Sequence, residues 1–419
     1  MAIRHSATLA VNERIQARRA AGEPVLHLGF GEAGLPVLPQ LAAVLADAVR
    51  HNDYSPVVGM PAARAAAAGY FRRRGLPTEP DQIVLAPGSK ALLFALLAVL
   101  PGDVVLPVPS WVSYAAQAAL LGRQVIGVPI PARTGGIPDP DRLAIALADA
   151  KAAGRRPGVL VITLPDNPTG TVPPLDLLTE VCRIAERAGL IIISDEIYRD
   201  LSHTEFHSPA ELLPDRTVIT GGLSKNLALG GYRIGFTRLP EGMDQVGADL
   251  VGVASEVWSS LAGPMQRVAA AALAEPPEVT AWITASRRLH GTVAAEVHRL
   301  LVRAGADCRP PEGGFYLYPD FGTHRESLAA HGIHTDQELA DRLLDRYGVA
   351  VLAGAEFGDD PRGLRCRLAT SLLYGQTDEQ RLASLHSPQP LALPWIADGL
   401  AHLADALSDL TAPVVTPTA

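Results

Sequence analysis

Cysteine is scarce in this 419-residue chain: Cys182, Cys308 and Cys366 are odd in number and stand at no ligand spacing. That excludes a disulfide framework and leaves no zinc signature, so the three read as reduced thiols and no metal is expected. No apolar run is long enough to cross a bilayer, and the first residues lack the apolar stretch of a secretory leader. No block of basic residues occurs either, and the formal net charge is −8. Nucleic acid and membrane are therefore not expected as partners, and the expected location is cytoplasmic.

What the chain does contain is apolar content of 48% against 19% charged residues, over a length that holds one large and one small domain. Apolar runs at Val159–Leu164, Leu190–Ser194, Thr217–Thr220 and Arg233–Thr237 alternate, over the first three, with helical patterns. Shorter strands are expected at Val25–Leu28, Ile83–Leu85 and Asp103–Leu106. Strand–helix alternation argues for a largely parallel α/β sheet, which binds its ligand at the carboxyl ends of the strands. Asn167, Asp195 and Lys225 all fall at such ends. Helices are expected over Ala62–Phe71, Ala91–Leu100, Asp141–Ala153, Ser255–Ala274 and Pro277–Ala304, and further strands near Gly313–Tyr318, Gly348–Leu352 and Leu364–Ser371.

The stretch from Gly222 to Gly235 carries the chemistry. Lys225 stands just past an apolar strand, and Arg233 follows eight positions later between Gly231 and Gly235. A lysine amine can join an aldehyde cofactor covalently, and a guanidinium can grip a phosphate by a two-pronged fork. Alone, a Ser-Lys pair more often means surface. Two further motifs change that reading: Asp166-Asn167-Pro168-Thr169-Gly170 after one strand, and Asp195 followed by Tyr198 after another. With Asn-Pro-x-Gly, Asp-x-x-Tyr and Ser-Lys-x-x-x-x-x-Gly-x-Arg in this order, the chain resembles the class I/II aminotransferases. These are fold-type-I enzymes dependent on pyridoxal 5'-phosphate (PLP), and the resemblance runs from about Leu28 to Leu407.

The resemblance implies a mostly parallel seven-stranded sheet in a large domain, 49–285, with a smaller α+β domain over 286–410; residues 1–48 would form an N-terminal arm and part of that smaller domain. The tail 411–419 is expected to fray. It implies PLP bonded to Lys225, which also moves the proton at the substrate Cα. Asp195 would hold the ring nitrogen, Asn167 and Tyr198 the phenolic oxygen, and Trp111 would stack on the ring. Gly88, Ser89 and Lys90, at a helix N-terminus, and Arg233 would cradle the phosphate; Ser89 as a plain helix cap is the blander reading. Tyr54 would reach the cofactor of a neighbouring subunit, which implies a homodimer with shared sites. Gly31, Trp111, Asn167 and Arg365 would hold the substrate, with Arg365 on its α-carboxylate. Period-two alternation puts Arg367 on the same face as Arg365, as a surface residue or a second anion contact. Tyr114 reads as structural or substrate-facing.

Two departures from the family pattern stand out. Gly222 replaces a serine, and Lys90 stands where an uncharged residue is usual. Lys90 is therefore expected to bind the phosphate in place of the hydroxyl that Gly222 does not carry. The implied activity is transfer of an amino group between an α-amino acid and a 2-oxo acid. The alternatives are another PLP reaction on the same scaffold (elimination, replacement, decarboxylation or oxidation) and a non-catalytic PLP sensor. The sensor needs a preceding DNA-binding module, for which about thirty residues are too few.

Overall fold

The computed structural model describes residues 7–131 and 134–412. Most of the terminal stretch expected to fray, 413–419, lies outside the described residues. After β1 (Leu26–His27) come the strands of the main sheet: β2 (Ile83–Pro87), β3 (Asp103–Val108), β4 (Val125–Pro129), β5 (Pro157–Thr163), β6 (Ile191–Asp195), β7 (Thr217–Gly222) and β8 (Ile234–Arg238). Their order is β2-β8-β7-β6-β5-β3-β4. All pairings are parallel except those of β8, which runs antiparallel to both β2 and β7.

The apolar runs follow from burial on both faces. Val159 and Val161 of β5, with Val104, Ile193 and Val218, pack under Leu92, Leu93 and Leu96 of the helix Ser89–Val99. Leu160 and Ile162 face the opposite layer, where Leu143, Leu147, Leu178 and Val181 cover them. Each such side chain contributes about 1.5–3 kcal/mol by leaving water. Gly189, at φ +75°, stops the helix Leu175–Ala188 and turns the chain into β6. Strand β4 is missing from the sequence expectations. It is an edge strand whose residues are alternately buried and exposed, so it shows no continuous apolar run.

A smaller region holds β9 (Tyr316–Leu317), β10 (Val349–Ala350), β11 (Leu352–Ala353) and β12 (Cys366–Ala369). Strands β11, β12 and β9 form an antiparallel sheet, and β1 pairs in parallel with β10. The helix Pro277–Arg303 buries Leu289, Val293, Val297 and Leu301 in the same core as Leu317, Leu343 and Leu368. The single helix expected over 255–274 is two, Asp244–Val257 and Gly263–Leu273. Ser259 takes a left-handed φ of +60°, and Pro264 sits in the first turn of the second helix, so no continuous helix can cross this stretch.

Two local features aim the strand ends. After β5, Asp166 closes the turn that carries Asn167: its Oδ2 accepts from Thr169 N at 3.0 Å and Thr169 Oγ1 at 2.5 Å. Burial pushes this carboxyl up to about 7, against the opposing effect of the Thr169 bonds. Gly235 of β8 lies against the Gly88–Ser89 backbone, where a Cβ would collide with Gly88 C and Ser89 N.

Gly235→Ala should therefore cost about 1–3 kcal/mol by overpacking this crossing. A thermal unfolding midpoint equal to that of the wild type would contradict the close approach. For Asp166, folded and unfolded states are both protonated below about pH 4; between there and about 7 only the unfolded state ionises, so stability falls as pH rises. Asp166→Asn should raise the midpoint by about 2 °C or more at pH 8 and leave it unchanged near pH 4, by scanning calorimetry at both pH values.

Candidate active site

The carboxyl ends of β5, β6 and β7 open on a cavity of about 440 Å³ lined by Ser89, Lys90, Trp111, Asn167, Asp195, Tyr198, Lys225, Arg233 and Arg367, among others. The parallel register sets Thr163, Asp195 and Thr220 side by side across three strands. Asp195 is 3% exposed. Its Oδ2 accepts from the Tyr114 hydroxyl at 2.9 Å and its Oδ1 from Thr220 Oγ1 at 3.2 Å. Burial raises this carboxyl to about 6, while the bonds from Tyr114 and Thr220 and the charge of Lys225 pull the other way. Tyr114 is thus structural in a specific sense: also bonded to Thr163 Oγ1 at 2.6 Å, it holds the carboxylate.

Lys225 lies beyond the end of β7, and its Nζ donates to the Gly31 carbonyl. The same amine is 5.7 Å from the centroid of the Tyr198 ring. At the other end of the cavity, Gly88 occupies the N-cap of the helix Ser89–Val99 with φ +88°, and no side chain caps that helix. Its first N–H groups are open, as an anion site requires. Ser89 is the first helical residue, so the blander reading of it as the cap does not hold. A Cβ on Gly88 would run into the Arg233 guanidinium, so only glycine lets the arginine lie beside the open helix end. Arg233 itself has a left-handed φ of +52°. The Lys90 amine is 5.0 Å from the Trp111 ring centroid. Burial, and then the charges of Arg233 and Lys225, hold the Lys90 amine below its ordinary pKa.

Arg365 is not brought to this cavity. It precedes β12, and its guanidinium is taken up by Asp320 at 2.8 Å and Asp359 at 2.9 Å, at a separate hollow. Arg367, inside β12, is the arginine that lines the site. It is 1% exposed, donates to Asn167 Oδ1 at 3.1 Å and to the Gly29 carbonyl at 2.8 Å, and its buried Nε has no partner among the described residues. The alternation rule groups 365 with 367 but cannot say which has its charge already met. The available signal was the acidic pair Asp359-Asp360 just ahead of 365. A second residue absent from the sequence expectations is Tyr316, whose hydroxyl lies 2.7 Å from that of Tyr198. Tyr54 is 97% exposed and does not line the cavity of its own chain.

The donor set fits PLP. An open helix end and Arg233 suit a dianionic phosphate, Trp111 a flat ring, Asp195 a ring nitrogen and Lys225 an aldehyde. At 222, a Cβ would stand 2.8 Å from the Ile234 carbonyl oxygen and 3.0 Å from Ile197 Cδ1, so this backbone leaves no room for the usual serine.

Known proteins agree with this geometry. The family profile described as aminotransferase class I and II matches residues 23–371. Aspartate aminotransferase of Geobacillus stearothermophilus is 32% identical over 389 residues, covering 90% of this chain and 95% of that protein. A probable aspartate/prephenate aminotransferase of Thermus aquaticus is 32% identical, covering 84% and 89%. The solved structure of Thermus thermophilus aspartate aminotransferase with maleate superposes with a TM-score of 0.82 at 27% identity, over 96% of this chain and 97% of that one. The chain belongs to the class I and II aminotransferases, fold-type-I enzymes that use pyridoxal 5'-phosphate to move an amino group between an α-amino acid and a 2-oxo acid.

Proposed function

We propose that the amino acid is dicarboxylic, of the aspartate or glutamate kind, and that Arg367 binds its α-carboxylate. The relatives named for aspartate, 32% identical over most of this chain, carry the substrate class. The cavity lining supports the role of Arg367, among the described residues the one cation there not assigned to the phosphate or the aldehyde.

In this reading Gly88, Ser89, Lys90 and Arg233 hold the cofactor phosphate, Trp111 packs on the ring, and Asn167 and Tyr198 donate to its phenolic oxygen. Asp195, ionised beside the ring nitrogen, keeps a proton there. Bound in this way, the cofactor supplies an electron sink for the charge left at Cα when its proton departs. The Lys225 amine takes that proton and returns it to the cofactor side, as general base and then general acid. Arg367, fixed by Asn167 and Gly29, orients the carboxylate, and Gly31 offers a backbone N–H to the same group. Tyr54 serves the partner's phosphate in a homodimer; its 97% exposure in a single chain supports a role outside that chain. The division into 1–48, 49–285 and 286–410 and a cytoplasmic location belong to the same proposal.

Incubation with single amino acids, without acceptor, should convert the bound cofactor to pyridoxamine phosphate fastest with aspartate or glutamate. Preference for an uncharged side chain would contradict the substrate class. Arg367→Ala should lower kcat/KM by about 10²–10³-fold, the scale of removing one partner of a buried charged hydrogen bond. Arg365→Ala should stay within about threefold of wild type, its guanidinium being spent on Asp320 and Asp359. Lys90→Ala should weaken PLP binding about tenfold, as removal of one charged hydrogen bond does. Unchanged PLP affinity with a raised KM for dicarboxylic substrates alone would move Lys90 from the phosphate to the substrate.

A further inference from the structure

The Tyr198 and Tyr316 hydroxyls are 2.7 Å apart, and the two rings meet edge to face, with centroids 5.4 Å apart at 78°. Both side chains are buried, Tyr198 at 3% and Tyr316 at 1% exposure. Among the described residues neither hydroxyl has another hydrogen-bond partner. Two hydroxyls in contact carry two protons, and only one can lie between them. If Tyr198 donates to Tyr316, its proton is lost to the cavity. If Tyr316 donates to Tyr198, the Tyr198 proton is free to point at an acceptor in the site.

Two arguments favour the second arrangement once the cofactor's phenolic oxygen is present as that acceptor. The Arg367 guanidinium lies 4.7 Å from the Tyr316 ring centroid, closer than the Lys225 amine lies to that of Tyr198, at 5.7 Å, which makes Tyr316 the stronger donor of the two. The chain Tyr316 to Tyr198 to phenolic oxygen satisfies both phenol protons, and each bond polarises the next. Tyr316 also owes its position to Gly31, where any Cβ would occupy the place of the Tyr316 hydroxyl.

We propose that Tyr316 is a positioning residue that acts through Tyr198, donating to its oxygen and so committing the Tyr198 proton to the cofactor's phenolic oxygen. This rests on the role given above to Tyr198. The charged and titratable groups facing the pair are Arg367 from β12, Lys225 beyond β7 and Asp195 from β6. Donation to the phenolic oxygen withdraws electron density that would otherwise keep a proton on the Lys225 nitrogen of the cofactor linkage. Losing the donation therefore raises the pH at which that proton leaves.

The test is a pH titration of the cofactor absorbance in substrate-free holoenzyme, for wild type, Tyr316→Phe, Tyr198→Phe and the double variant. Tyr316→Phe keeps the ring and its packing. It should lower the acid dissociation constant of the Lys225 linkage about threefold. Tyr198→Phe should lower it further, and the double variant should match Tyr198→Phe alone, because Tyr316 has nothing left to act through. A Tyr316→Phe titration superimposable on wild type, with Tyr198→Phe shifted, overturns the relay alone. Additive shifts in the double variant overturn it too, and an unshifted Tyr198→Phe overturns the role of Tyr198 and the relay together.

Discussion

Parallel register is the constraint on which the site depends. Because β5, β6 and β7 run the same way and pair Thr163 with Asp195 and Asp195 with Thr220, three side chains stand in one row at one edge of the sheet. The chain leaves that row in three directions. It reaches Asn167 through the Asp166 turn, Tyr198 through the turn after β6, and Lys225 through the loop after β7. A slip of one residue in β6 would turn Asp195 to the other face of the sheet and take the carboxylate out of the site.

The row also explains how a carboxylate survives burial. Asp195 is stripped of water, which on its own favours the neutral acid. Tyr114 and Thr220 donate to its two oxygens and Lys225 adds a cation across the cavity, so the ionised form is supported from three sides. At the opposite end, the close crossing of Gly235 on Gly88 presses an uncapped helix end against Arg233. One end of the cavity is thus built for a cation and the other for an anion, and the sheet fixes the distance between them.

The sheet, the strand-end residues and the open helix start beside Arg233 were legible because each leaves a local mark: an apolar run, a glycine-flanked turn, a helix start. What the sequence hid depends on contacts between distant segments. Arg365 and Arg367 are equivalent to any rule of alternation, and the contacts of Arg365 with Asp359 nearby and with Asp320, brought in from 45 residues away, decide which one is neutralised. Tyr316 is marked in the sequence only as part of a strand, and its place in the site appears once Gly31 is folded against it. The break at Trp258–Ala262 was missed because Ser259 adopts a left-handed backbone without a glycine to announce it. Gly222 reads in the sequence as a missing phosphate hydroxyl, and in the fold it is a steric requirement of the β7–β8 pairing and of Ile197.

The chain has only three lysines, Lys90, Lys151 and Lys225, and two of them line the cavity. The chemistry depends on the amine beside Gly31 being the one that bonds the cofactor. Reduction of the holoenzyme with borohydride, followed by peptide mass mapping, tests this most directly. A reduced pyridoxyl phosphate adduct on the Lys225 peptide alone is the predicted result. An adduct on Lys90, or no mass gain on any lysine, would contradict it.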